Sequence, residues 1–493
     1  VSPSLDEFLS LSGYDSVVVS AEVSSDIETP VSAFMKLRNE GPCFLLESAE
    51  SGRMWGRYSF LGFEPGAIVR LERGRLTVSE NRGDRELPGN PVRGVFDILD
   101  GVRVYAPGDE MPFAGGAVGY FGYDSLPYLE KVNLRASSPG LPELMFMLPT
   151  RLVMFDHLRS RIRLCRLVGL GGTPVERKLA YEEAVSTIAA MASDLDNRLP
   201  PEACIPVAAP SGGDFDGARS NLTRRQFSAM VARAREYILA GDAFQVVLSQ
   251  RFAAPFTADP LTVYRYLRAE NPSPYMFYLE LPGLTLAGSS PEPLVTNRAG
   301  HTVIRPIAGT RPRGSDAASD ASLAKELEKD LKERAEHIML VDLARNDLGR
   351  VSRPGTVRVT KLMDIEKYSH VMHMVSEVEG TLRNGCGNFE LLRAAFPAGT
   401  VVGAPKVRAS EIVDELEPDG RGPYAGAIGY LSYSGDMDTC IAIRTVLFRD
   451  GLATVQAGAG IVADSSPERE YEETRNKARA LLRAVRAARE VQS

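Results

Sequence analysis

The order of elements predicts an α+β fold built mainly on antiparallel sheets. Strand and helix runs are mixed along the chain, without the regular alternation that a parallel sheet requires. Apolar runs follow one another across short turns, as where Arg73-Gly74-Arg75 joins two arms of a hairpin over 67–78. Two glycine-studded segments, 115–123 and 424–431, share the pattern Gly-Ala-x-Gly-Tyr. That echo points to a duplication of strand-rich halves, or to bulges and close backbone approach.

From the N-terminus, 5–11 is a short amphipathic segment, 17–23 a strand and 30–38 a helix. Phe44-Leu45-Leu46-Glu47-Ser48 is an apolar strand ending on an acid and a hydroxyl, and 57–62 precedes the hairpin. Segment 151–166 reads as two strands and 175–195 as a helix. The linker 199–217, rich in Pro, Ala, Gly and Asp, divides the chain into regions 1–205 and 218–490. Beyond it come a helix over 223–240, a buried strand over 244–250 and a helix over 260–270. Strands at 284–289, 303–307, 424–432, 439–448 and 452–457 then alternate with helices around 323–346, 388–396 and 405–416.

A chain of 493 residues, 44% hydrophobic, can bury a large core, and its net charge of −7 is ordinary. The five cysteines (Cys43, Cys165, Cys204, Cys386, Cys440) are scattered, with no Cys-x-x-Cys, which argues against zinc and against a disulfide framework. No apolar run approaches the ~18–20 residues of a membrane span, and no signal-peptide pattern or basic, aromatic-interleaved run occurs. The expectation is a soluble cytoplasmic protein with neither a membrane nor a nucleic-acid partner.

Chemistry is concentrated towards the C-terminus. Ser466 and Pro467 open a helix carrying Glu470, Glu473 and Lys477 on one face. A second helix has an apolar stripe of Leu323, Leu327, Leu331, Ala335 and Ile338, with Glu333 and Glu336 beside it. Two carboxylate pairs suit a hard cation such as Mg2+; a solvated acidic face with Glu473 paired to Lys477 is the alternative. Gly309-Thr310 and Gly399-Thr400 each offer an N–H and a hydroxyl to an anion, or are ordinary loops. His373 has apolar neighbours, as a core histidine would. Arg444 lies among Ile441, Ile443 and Val446, where a guanidinium needs an anionic partner.

Taken together, these segments resemble chorismate-utilising enzymes, most closely the synthase subunits (component I) of anthranilate synthases. The resemblance covers nearly the whole chain. It is densest from Gly241 to Lys477, through Gly-Asp-Ala-Phe-Gln-Val-Val-Leu-Ser-Gln, Gly-Ser-Ser-Pro-Glu, Pro-Ile-Ala-Gly-Thr-Arg-Pro-Arg-Gly, Asp-Leu-Ala-Arg-Asn-Asp-Leu-Gly-Arg and Asn-Lys-Ala-Arg-Ala. It implies a large two-sheet antiparallel β-sandwich flanked by helices, the 1–205 region carrying part of a regulatory site and 218–490 the chorismate-binding region. By the family pattern Glu336 and Glu473 are direct Mg2+ ligands, with Glu333 and Glu470 acting through water. Tyr424, Arg444, Lys477 and the amides of Gly458, Ala459 and Gly460 hold the substrate, and Gly309, Thr310 and Thr400 line the same pocket. Glu292 is the general acid for the departing C4 hydroxyl, and His373 serves the loss of pyruvate.

Two positions discriminate within the family. Gln245 stands where isochorismate and salicylate synthases carry a water-activating lysine, and an amide cannot act as a base. Ala308 stands where aminodeoxychorismate synthases usually carry lysine. The resemblance therefore implies chorismate and ammonia as substrates and anthranilate and pyruvate as products. Glu47, Ser48, Pro274, Tyr275 and Met276 match a site for L-tryptophan as feedback inhibitor. No Gly-x-Cys-x-Gly nucleophile loop is present, so ammonia comes from solution or from a separate glutamine amidotransferase subunit in a heterotetramer. Aminodeoxychorismate or aminodeoxyisochorismate synthesis, and a catalytically silent chorismate- or tryptophan-binding regulator, are the competing readings.

Overall fold

The computed structural model describes residues 1–48, 56–81, 83–108, 111–135, 138, 140–200, 203–206, 213, 215–368 and 371–492. Part of the linker 199–217, with Ser369 and His370 of the histidine segment, lies outside the described residues.

Two long strands organise the rest. Tyr58–Glu72 and Leu144–Asp156 pair antiparallel over almost their whole length, with an irregularity between Pro65 and Ala67. Glu64, at φ 49°, adjoins that bulge, and bulges bend a ribbon and raise its twist. Cys43–Glu47 and Arg161–Gly169 flank one end of the ribbon, and Arg75–Glu80 and Gly116–Phe121 flank the other. One ribbon thus belongs to two sheets.

From Cys43–Glu47 the first sheet continues through Tyr275–Leu281, Leu284–Ser290, Thr445–Arg449 and Leu452–Ile461 to Gln245–Pro255. From Gly116–Phe121 the second continues through Ala427–Ser432, Met437–Ile441, Pro293–Arg298 and His301–Ile304 to Val371–Thr381. Ile307–Pro312 and Arg358–Lys367 also pair with Val371–Thr381. Phe44, Phe60, Phe277 and Leu286 of the first sheet meet Val118, Tyr120, Ile428 and Tyr430 of the second in a filling that draws on no helix. Helices cover the outer faces. Pro30–Leu37, Pro174–Leu195, Pro260–Glu270 and Pro467–Gln492 pack on the first sheet, Arg224–Leu239 and Lys406–Leu416 on its far strand Gln245–Pro255, and Pro91–Leu99 and Leu331–Gly349 on the second sheet. The expected α+β sandwich is therefore the observed one.

The two echoing glycine strands are neighbours, with Gly119 opposite Gly429. A Cβ at either would fall 2.0 Å from a carbonyl oxygen, of Met145 or of Asp438, so close backbone approach accounts for these glycines.

Several expected elements are broken where the chain turns. Segment 57–62 and the first arm of the hairpin are one strand. The strand expected over 439–448 stops at Ile441 and resumes at Thr445, because the chain changes sheets there; Arg444 sits at φ 50°, not in mid-strand. The 303–307 strand splits at Arg305-Pro306, where proline lacks a ladder N–H. The helix around 323–346 is two, Ala317–Lys329 and Leu331–Gly349, divided at Asp330, whose carboxylate caps the second by accepting from the Lys332 and Glu333 N–H groups. That break rotates the apolar stripe: Leu327 is buried, whereas Leu331 and Ile338 are 82% and 48% exposed. Phe244, expected in a buried strand, precedes it and is exposed.

Candidate active site

Two crossovers between the sheets build the centre. One runs from Leu284–Ser290 through Pro291 and Glu292 to Pro293–Arg298; the other carries Arg444. They are stitched together. The Ile441 N–H donates to the Glu292 carbonyl (3.0 Å), Ser290 Oγ to the Ile441 carbonyl (2.7 Å), and the Ser289 N–H to the Arg444 carbonyl (3.0 Å). A carboxyl and a guanidinium far apart in sequence are thereby placed beside one cavity.

That cavity, of about 220 Å³, is lined by Glu292, Thr310, His373, Thr400, Tyr424, Arg444, Gly458 and Lys477, with Gln245, Ala308 and Glu336. Gly309, Ala459 and Gly460 stand outside its lining. The Gly309 carbonyl contacts His373, Ala459 is packed in the core, and Gly460 abuts the Gln245 amide. Burial pushes the Glu292 carboxyl up to about 8, offset in part by the Thr400 hydroxyl and the Lys477 charge. Glu292 is thus a carboxylic acid at neutral pH. Desolvation pulls Arg444 below its usual range, and among the described residues no carboxylate pairs with it. Lys477, by contrast, holds Glu473 (2.8 Å) and the Gly458 carbonyl (3.0 Å).

His373 Nδ1 lies 3.2 Å from the Gly309 carbonyl and 3.1 Å from Thr310 Oγ1. A carbonyl only accepts, so Nδ1 carries the hydrogen and Nε2 is left as the basic nitrogen. Desolvation, with the Arg444 charge, lowers this histidine's pKa despite that hydrogen bond, which keeps it neutral at physiological pH. Glycine is required at 309, where φ is +65° and a Cβ would meet Leu327 and Glu333. At 458 a Cβ would fall 2.6 Å from the Tyr424 hydroxyl.

The two carboxylate helices do approach one another. Glu336 is raised by burial and by Glu333 and Glu473, with the Gln245 amide (3.3 Å) opposing, and Glu470 is raised by burial and by Glu473. Glu333 is also 3.4 Å from Arg311. Among the described residues no three His, Cys, Asp or Glu side chains converge at metal-binding distance. The four glutamates form an open set of oxygen donors, not a closed site, and such donors fit a hard cation that completes its shell from water and substrate.

A second cavity, of about 70 Å³, lies between the sheets and is lined by all five residues of the expected inhibitor site: Glu47, Ser48, Pro274, Tyr275 and Met276. Its aromatic and apolar walls include Phe60 and Tyr430. Glu47 is already held by the Tyr264 hydroxyl and by Arg268 (3.1 Å). Asp438 is a further acid on the wall that sequence reasoning missed, raised by burial to about 6 and accepting from the Tyr275 hydroxyl at 3.0 Å. An aspartate within the apolar run Met437–Ile441 was the readable signal.

A guanidinium with no carboxylate partner among the described residues, a protonated carboxylic acid and a neutral histidine at one cavity are groups suited to acid–base chemistry on a small anion. The comparisons with known proteins give the family: the chain belongs to the chorismate binding enzymes, whose model matches residues 42–483. It is 46% identical to anthranilate synthase component 1 of Acetivibrio thermocellus, over 99% of both chains. It is 47% identical to the protein of that name from Thermus thermophilus, over 94% of this chain and 96% of the other. Among solved structures, anthranilate synthase component I from Streptococcus pneumoniae superposes with a TM-score of 0.77 at 35% identity, covering 93% of this chain and 99% of that one. The menaquinone-specific isochorismate synthase from Escherichia coli, at 18% identity and a TM-score of 0.70 over 98% of each chain, shares the fold. No helix among the described residues is long and apolar enough to cross a membrane.

Proposed function

We propose that this chain converts chorismate and ammonia to anthranilate, pyruvate and water; anthranilate synthesis is what its component 1 relatives are named for. The observation that carries this reading is one cavity holding both a guanidinium that no carboxylate pairs with among the described residues and a carboxyl that stays protonated. Arg444 takes a substrate carboxylate. Glu292 gives its proton to the C4 hydroxyl, which leaves as water while ammonia adds at C2. His373 Nε2 then accepts the C2 proton as the C3–O bond breaks and the ring becomes aromatic, and the departing enolpyruvate takes a proton at its methylene carbon to become pyruvate. Gln245 offers no base to activate water, and its buried Oε1, unpartnered among the described residues, is an acceptor for an N–H of the incoming amine.

Mg2+ belongs to this reading. Glu336 and Glu473 would hold it, with Glu333 and Glu470 through water, and a cation there would offset the burial and the carboxylate repulsion that raise Glu336 and Glu470. When bound it supplies positive charge against the ring carboxylate. Ammonia comes from glutamine through a separate amidotransferase subunit, two of each forming a cytoplasmic heterotetramer. L-tryptophan binds in the second cavity as a feedback inhibitor, its ammonium facing Asp438 and its indole the Pro274, Met276 and aromatic walls.

The test incubates the purified chain with chorismate, ammonium and Mg2+ and follows anthranilate fluorescence. The expected signal disappears with chelator and falls with tryptophan. Chorismate consumed to an aminated, non-fluorescent product would refute the anthranilate reading. No consumption would refute the enzyme reading altogether.

A further inference from the structure

We propose that Arg421, locked to Glu417, is a positioning residue for the substrate cavity. Neither residue lines the cavity, and both are nearly inaccessible, at 2% and 6% exposure. Glu417 closes the helix Lys406–Leu416, and Arg421 lies four residues on. The guanidinium grips the carboxylate twice, Nε to Oε2 at 2.9 Å and Nη2 to Oε1 at 2.7 Å. It also donates from Nη1 to the Val401 carbonyl and from Nη2 to the Val247 carbonyl, each at 2.7 Å. Its Cζ is 5.5 Å from the Tyr424 ring centroid and 4.9 Å from that of Tyr123. Glu417 Oε1 in turn accepts from the Ser249 N–H (2.7 Å) and hydroxyl (2.8 Å).

Val247, Val401 and Tyr424 all line the cavity, yet they come from three separate places: the strand Gln245–Pro255, the short helix Gly399–Val402, and the turn before Ala427–Ser432. One charge pair holds all three walls from behind. The short helix carries Thr400 beside Glu292, and its final carbonyls have no helical partner, so the Arg421 bond to Val401 fixes where Thr400 points. Tyr424, clamped by the same guanidinium, presents its hydroxyl against Gly458. Stability alone does not account for this arrangement. A buried ion pair loses most of its Coulomb gain to desolvation, and apolar residues of similar volume fill such space as well or better. What apolar residues cannot do is bond two carbonyls and a carboxylate at fixed angles, which is what a guanidinium supplies.

The proposal rests on chorismate being the occupant of this cavity. The test compares the full chain with R421K, which keeps the charge but replaces a fork by a single point, and with E417Q, which keeps the shape but removes the pair's charge. Circular dichroism establishes the folded fraction; chorismate and ammonium KM are then measured, with chorismate affinity by calorimetry. The expected result is a chorismate KM and dissociation constant raised about tenfold or more in R421K and about threefold or more in E417Q, with the ammonium KM within about twofold of wild type. A purely structural role instead lowers the amount of active protein and leaves chorismate KM and affinity unchanged; either folded variant behaving so overturns the proposal. Should R421K not fold, E417Q decides by the same criterion. A wild-type chain that binds chorismate without turning it over refutes the reaction while calorimetry still decides the positioning role; one that binds no chorismate refutes both.

Discussion

Replacing Glu292 with glutamine separates activity from stability in opposite directions. Burial moves this carboxyl from 4.5 to about 8. At pH 7 about 90% of it is then protonated, against about 0.3% for an ordinary glutamate, a gain of about 300-fold in the acid form. The same displacement is a free energy: at about 1.4 kcal/mol per pH unit, ionising Glu292 in the folded state opposes folding by about 5 kcal/mol at the limit, given its rise from 4.5 to about 8. The sign follows from linkage. Between 4.5 and about 8 the folded chain binds more protons at this site than the unfolded chain, so stability is lost as pH rises through that window and is level above it. Glu292→Gln removes the titration. We expect its unfolding free energy from urea titration to match wild type near pH 4.5 and to exceed it by about 2–5 kcal/mol at pH 9, while kcat falls by about 10²–10⁴ because the proton donor is gone. In the wild type, kcat falls on the alkaline side with an apparent pKa at or above about 8. A stability gap that stays constant from pH 5 to 9, or a wild-type kcat that stays level through pH 9.5, would refute the reasoning.

Three further outcomes follow from the other residues. His373→Ala is expected to consume chorismate while an aminated, non-aromatic compound accumulates, detected by mass spectrometry; anthranilate at the wild-type rate would remove His373 from the second step. In the second cavity, Met276→Ala and Asp438→Asn are expected to leave uninhibited turnover within about twofold and to raise the half-inhibitory tryptophan concentration by about tenfold or more. Because the Asp438 carboxyl is raised to about 6, tryptophan inhibition should weaken as pH falls below that value in wild type and lose this dependence in Asp438→Asn.

Much of the site was legible because its residues are chemically conspicuous where they stand. A guanidinium among isoleucines and acids at one-turn spacing announce a ligand, and Glu292, His373, Thr400, Tyr424 and Arg444 do meet at one cavity. The strand and helix pattern was legible for the same local reasons, as with the helix Pro260–Glu270, opened by a capping aspartate and a proline. What could not be read was where elements break to change partners. Arg444 looked like a mid-strand residue because Ile441, Ile443 and Val446 continue an apolar run across the crossover. The stripe through Leu331 and Ile338 had helical spacing but ran through a cap at Asp330. Nor could local pattern show Arg421 and Glu417, whose importance lies in what they touch. Asp438 was different: an acid inside an apolar strand was a signal open to reading.

The ribbon shared by both sheets has a consequence for how the chain is made. Cys43–Glu47 and Gly116–Phe121 emerge early, but their outer neighbours, Tyr275–Leu281 and Ala427–Ser432, lie hundreds of residues downstream. During synthesis each sheet therefore stands with an unpaired apolar edge. At about 5–20 residues per second, the last of these edges stays open for roughly 15–60 s after Gly116–Phe121 has been made, with Ala427–Ser432 still to come. Open edges of that kind are templates for the wrong neighbour. A ribosome carrying this unfinished chain is thus where chaperone demand should peak, and slowing translation between the two segments should lower soluble yield without altering the finished enzyme.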